Sequence, residues 1–412
     1  MTVSSRIQLN PLSIIILLTV VQVLCATYFL NIGGFAAINS VLFFLCGLVI
    51  SFCLIKTPAL ATGKPVFFQK QFVARLFIIA LLLPFSYSIS ATIMDNTPVQ
   101  KEYADMLPII KAMCQRFLNG HWQNIYDPIS EIWNGVQPIY LPATWLPFTS
   151  SEVLHFDPRW VTVGGIWLSV IICVWPGKWK INWQYLLFTI SILVLLAWLH
   201  YDEVNNVIRL TEEGVVFFYY TLIVAAIVSG NGWLIGIAAA LCLFSRYSII
   251  GWLPFVFLFS LFAGERKLLS RILMGGIIST AILIIPFGIK PLLLHLDLPS
   301  QYIQHADRVW SENPEYFKQS LGLAKFFGPD HTTLLHYVLL IGTFAIPVLF
   351  FLSIRSKKIP VANALLAGLQ LSVTIFYNFI DVSYLYLFYT PVFVSLCIAG
   401  FSLATYYRKN IV

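Results

Sequence analysis

Two residues carry most of the chemistry this sequence offers. Asp105 heads a short amphipathic run, Asp105-Met106-Leu107-Pro108-Ile109-Ile110-Lys111. A carboxylate held at an interface can serve as a general base toward a hydroxyl. The same residue type is a favoured helix N-cap, with Pro108 tolerated in the first turn. Asp95, after the third apolar stretch, competes with it for the basic role. Arg246 closes a Gly/Ala-rich apolar stretch, with no Asp or Glu within ten residues on either side. A guanidinium so placed can grip a phosphate with two parallel N–H donors, or snorkel to lipid headgroups.

Smaller clusters stand beside these two. His200-Tyr201-Asp202-Glu203 and Arg209-Leu210-Thr211-Glu212-Glu213 put several charges into one short loop. Arg209 is a second phosphate candidate, and Asp202 and Glu213 can accept hydrogen bonds from a polyhydroxylated substrate. The competing reading is a solvated loop leading into a helix whose first turn favours acids. Asp381, Tyr384 and Tyr386 either line a pocket or cap and anchor the last apolar segment. Segment 290–332 holds His295, His305, Asp307, Arg308 and Trp310, and reads as an acceptor-side or lid region. No spacing fits a metal triad, a P-loop or a nucleophile elbow. A divalent metal is compatible with the carboxylates, but no ligand pattern supports one, and no cofactor is implied. The seven cysteines show no CxxC pair and no disulfide framework.

The elements that must position these groups are apolar. Hydrophobic residues make up 59% of the 412 and charged residues 10%, against about 25% charged in a soluble domain. Mean hydropathy is +0.82. That composition excludes a soluble enzyme, a disordered chain and a nucleic-acid binder. A helix needs about 20 apolar residues to cross the hydrocarbon. Twelve stretches qualify, at 11–30, 35–55, 72–92, 159–176, 182–200, 212–229, 231–245, 248–263, 271–289, 333–353, 360–379 and 383–406. The stretch 1–30 lacks a signal-peptide cleavage pattern and counts as a span. Strict alternation puts 15 Lys/Arg and one acid on one side, and 10 Lys/Arg and 17 acids on the other. The basic side is therefore expected in the cytoplasm, with both termini. The predicted fold is an all-α, polytopic bundle of about twelve transmembrane helices forming one domain over 1–412. Its long external segments are 93–158 and 290–332, and any chemistry faces outward.

In the first of these, Met106, Ile109, Ile110, Met113 and Phe117 fall at helical spacing, with Lys111, Gln115, Arg116 and Asn119 opposite. The pattern predicts an interfacial amphipathic helix opened by Asp105 and ended by Asn119-Gly120. Pro-punctuated aromatic clusters follow: Tyr126-Asp127-Pro128, Pro138-Ile139-Tyr140 and Pro142-Ala143-Thr144-Trp145-Leu146-Pro147. Prolines at this density preclude a regular helix there.

Asp105, Gly120, Tyr126 and Pro138-Ile139-Tyr140-Leu141-Pro142 together resemble the first external loop of the GT-C superfamily. These are integral-membrane glycosyltransferases that use polyprenyl-phosphate sugars. Gly232–Pro254, a small-residue helix ending in Arg246 and followed by a Pro-containing span, resembles a second segment of that superfamily. Two departures stand out: two spans precede the one before the loop, where many members have one, and no Asp-x-Asp or Glu-x-Asp follows Asp105.

The resemblance implies Asp105 as catalytic base and Arg246 and Arg209 as ligands of the donor phosphate. It implies Tyr126, Tyr140, Asp202, Glu213, Asp381 and Tyr384 as substrate-binding residues. Its partners would be a polyprenyl-phosphate sugar, the lipid bilayer and a glycan, lipid or protein acceptor. The expected location is a bacterial inner membrane. Twelve spans with both termini inside also fit a transporter or flippase, and an outward site also fits an oligosaccharide polymerase or ligase. Charges gathered at outer span ends favour the transferase over the transporter.

Overall fold

The computed structural model describes residues 10–32, 34–60, 70–132, 135–175, 182–201 and 206–409. It is helical throughout. α1 (Pro11–Ala26) and α2 (Ala36–Lys56) form a hairpin, followed by α3 (Lys70–Asp95). Segment 93–158 holds α4 (Met106–Leu118), the single turn α5 (Pro142–Trp145) and α6 (Thr149–Leu154). Then come α7 (Arg159–Val174), α8 (Trp183–Tyr201) and the turn α9 (Val207–Leu210). α10 (Glu213–Ser229), α11 (Gly232–Leu243), α12 (Trp252–Phe262) and α13 (Arg266–Ile284) complete the middle of the bundle. α14 (Ile289–Glu312) and the turn α15 (Glu315–Lys318) precede the last three helices. These are α16 (Thr332–Ile354), α17 (Val361–Asn378) and α18 (Tyr389–Lys409). Among the described residues there is no strand, only one antiparallel bridge between Ile129 and Val136.

All twelve expected stretches are helical. Seven helices are long and apolar enough to cross a bilayer, and five apolar ones are shorter. Segment 290–332, for which no helix is expected, is largely helical. Most of it is α14, an amphipathic helix running on from α13.

α17 and α18 form the centre: 83% and 94% of their apolar windows are buried, against 22% for α3 and α13. The outer helices thus turn apolar side chains away from the protein, as lipid contact requires.

Three local devices set the geometry of the acidic end. Gly230, at φ +69°, ends α10 as a left-handed glycine can. Asn231 then caps α11, its side-chain oxygen accepting from the Trp233 and Leu234 amides. This two-residue turn folds α11 back along α10, so the start of α10 meets the far end of α11. Gly214, one residue into α10, lies directly against the backbone of Thr162 in α7, where a Cβ would overlap the carbonyl. The Thr162 hydroxyl donates to the Thr211 carbonyl at 2.7 Å. Glu212 and Glu213 are therefore held on both sides.

Arg159 closes the neighbouring junction. It is 2% exposed, pairs with Asp157 at 2.6 Å, and donates to the carbonyls of Met94 in the last turn of α3 and of Thr97 just after it, where helical carbonyls run out of amide partners.

Candidate functional site

Arg246 lies in extended backbone between α11 and the turn leading into α12. Its Nη2 donates to Glu212 Oε1 at 2.7 Å and also to Glu213 Oε1. Both carboxylates are fully buried, while a quarter of the arginine side chain stays accessible. The sequence expects no acid near Arg246; the structure corrects this, because the α10–α11 hairpin delivers two. The guanidinium is thus committed to two buried carboxyl groups, so Arg246 is not the isolated cation expected of a lone phosphate clamp. Each glutamate keeps one oxygen, Oε2, without a hydrogen-bond partner, as does Arg246 Nε.

Phenols surround this triad. Tyr140 feels the charges of Glu212, Asp105 and Arg246, and Tyr386 those of Glu212, Arg246 and Glu213. Tyr302 of α14 lies in the field of Arg246. Tyr384 stacks on Tyr386 at 5.4 Å, meets Tyr316 edge-on, and senses Asp105. Behind them, Ser248 links the hydroxyls of Tyr220 and Tyr377.

Asp105 occupies the N-cap position of α4, but its side chain makes no capping bond. The helix begins without it, so the carboxylate is not tied to the first turn of α4. Burial raises its pKa above the ordinary carboxylate value, opposed by its own backbone amide and by His305 of α14. His305 in turn is pushed down by burial and by Arg308, which donates to it at 2.9 Å. Asp105 also acts on Glu212. One end of the bundle therefore gathers Asp105, Arg246, Glu213, Tyr140 and Tyr384 from the sequence reading. Glu212, Tyr302, Tyr386 and His305 join them.

Other expected residues are placed differently. Tyr126 is 2% exposed. Its hydroxyl donates to the Tyr140 carbonyl at 3.1 Å and accepts from Trp145 Nε1 at 3.3 Å. It fixes the Pro/Tyr segment and has no open face for substrate, which corrects its assignment as substrate-binding. Asp381 does not cap the last helix, since α18 begins only at Tyr389. Its Oδ2 instead meets His336 Nδ1 at 2.8 Å, and burial raises its pKa. Arg209 lies half-buried on α9. Asp202 lies outside the described residues.

Arg116, expected on the polar face of α4, donates to the carbonyls of Asn124, Ile125, Asp127 and Pro128. That is how a proline-rich loop without regular structure satisfies its backbone. Tyr302 had one sequence signal, its i, i+3 spacing with His305 on one face of an amphipathic pattern.

Among the described residues no group of three His, Cys, Asp or Glu could hold a metal ion. Comparison with protein-family models, curated proteins and solved structures finds no match to the chain.

Proposed function

We propose that this chain is a GT-C-type membrane glycosyltransferase. In this reading about twelve spans cross a bacterial inner membrane, both termini are cytoplasmic, and the Asp105 end faces outward. The donor is a polyprenyl-phosphate sugar entering laterally from the bilayer. Asp105 takes the proton of an acceptor hydroxyl as that oxygen attacks C1 of the sugar. The C1–O bond to the lipid phosphate breaks, the phosphate leaves with the electron pair, and the anomeric centre inverts. The observation that carries the reading is the Asp105 carboxylate, which makes no capping bond to α4 and acts on Glu212 of the Arg246–Glu212–Glu213 triad.

The triad takes a role in place of the phosphate clamp. Arg246 locks the two carboxylates in place, and they and the tyrosines form the polar wall against which sugar hydroxyls are oriented. Two further guanidiniums stand at this end for the leaving phosphate, Arg308 on α14 and Arg209 on α9. Charge-assisted bonds from them would act on the developing negative charge.

Purified protein in lipid vesicles, given labelled polyprenyl-phosphate hexoses and pentoses, tests the reading by mass analysis of the products. A labelled product formed by the wild type and lost in Asp105→Asn supports it. Turnover of none of the donors removes it.

A buried pair of carboxyl groups around one guanidinium also suits a coupling-cation path, so a transporter or oligosaccharide flippase is the second reading. It expects cation-dependent movement of a lipid-linked glycan across the membrane, with no new glycosidic bond.

A further inference from the structure

Away from the triad, a polar pocket of about 360 Å³ opens between α4 and α6. That is within the usual range for small-ligand sites. Its wall includes Lys111 from α4, Ser151 and Glu152 from α6, and His155 and Asp157 from the turn into α7. Asp157 is taken by Arg159, and the Ser151 hydroxyl by the Phe148 carbonyl. Among the described residues Glu152 accepts from the neutral amide of Gln115 alone, at 3.1 Å, and Lys111 and Glu152 share the pocket without an ion pair between them. An ammonium and a carboxylate are thus left to face the same space.

His155 adds a second observation. It ends α6 in the left-handed conformation, φ +55°, ψ +47°, its amide donating to the Ser151 carbonyl as helix C-caps do. That turn sets the exposed imidazole in the pocket wall.

The surroundings are those of a membrane interface. Val153 and Leu154, on the same short helix, are 57% and 69% exposed. Tyr87 of α3 and Trp160 at the start of α7 stack at 4.9 Å, a pairing that suits an aromatic belt.

We infer that this pocket binds the headgroup of a zwitterionic, ethanolamine-type phospholipid. Its phosphate lies toward Lys111 and His155 and its ammonium toward Glu152. A simple anion would meet the Glu152 carboxylate, and a simple cation the Lys111 ammonium; a zwitterion satisfies both. Exposed Val153 and Leu154 give the acyl chains an apolar ledge and favour a membrane lipid over a soluble phosphoester. The inference does not depend on the transferase reading.

Native mass spectrometry of the full chain tests it, comparing retention of phosphatidylethanolamine, phosphatidylglycerol and free O-phosphoethanolamine. We expect phosphatidylethanolamine to be retained over phosphatidylglycerol. Glu152→Gln and Lys111→Gln should each lower that retention about five-fold, the worth of one exposed ion pair. His155→Gly keeps the left-handed turn at no steric cost and loses the imidazole. It should weaken retention even if the charge variants fold poorly. Equal retention of both lipids, or retention unchanged in all three variants, overturns the proposal. Competition by free O-phosphoethanolamine as strong as by the lipid overturns its assignment to a lipid.

Discussion

Arg246 and Glu212 lie 34 positions apart in the chain, yet their side chains meet at 2.7 Å at one end of the bundle. Glu213 joins them on the same guanidinium nitrogen. Removing one partner from such a group leaves buried charge without compensation.

Arg246→Ala should therefore be severe, at about 3–5 kcal/mol of stability. The same change in a Glu212→Gln, Glu213→Gln background should cost much less, because no charge is then stranded. Thermal melts of the four proteins in detergent check this. Equal losses in both backgrounds would dissolve the triad as an energetic unit. Arg246→Lys should fall between wild type and alanine, since an ammonium keeps the charge without the planar fork.

Asp105→Asn should abolish transfer, a loss of about 10²–10⁴ in rate for a general base. It should leave the melting temperature unchanged or higher. The carboxylate caps nothing, and burial penalises its charged form. A clear drop in stability would mean that Asp105 supports α4 after all.

The same group sets a pH dependence. Its folded pKa is raised, so the base form appears only above the ordinary carboxylate range, and the acid limb of kcat/KM should sit correspondingly high. Its favourable contribution to folding is fully present below the unfolded pKa and is lost as pH rises through the folded one. Positive charge on His305 opposes the raised pKa. His305→Ala should move the acid limb to still higher pH. A limb that stays put in that variant would separate the two residues.

Gly214→Ala tests how the acids are held. The new methyl would strike the Thr162 backbone, at a cost of about 1–3 kcal/mol. By shifting the start of α10 it should also lower transfer. Wild-type melting and activity would show that α7 and α10 can part there freely.

Sidedness can be read with an impermeant thiol reagent. Six of the seven native cysteines are buried and Cys53 is partly so, which keeps the background low. Tyr103→Cys, at a position 57% exposed, should label in intact cells. Arg266→Cys should label only after lysis. The reverse pattern would invert the proposed topology.

The sequence alone determined the helical stretches and the limits of α4. Its reading of Asp105 to Asn119-Gly120 fits Met106–Leu118. Periodicity, caps and apolar run lengths act within one or two turns, so they can be read locally. The tertiary structure decided what the polar groups do. Arg246 carries no nearby acid in the chain, and only the Gly230–Asn231 turn brings Glu212 and Glu213 to it. Tyr126 and Asp381 look equally available in the sequence. Yet one hydroxyl is bound to the Tyr140 carbonyl and one carboxylate oxygen to His336, 45 positions away. Asp105 is the opposite case, a residue at a capping position whose side chain makes no capping bond. Hydrogen-bond partners and desolvation depend on which surfaces meet in space, and hydrophobic spacing along the chain fixes the surfaces but not their pairing.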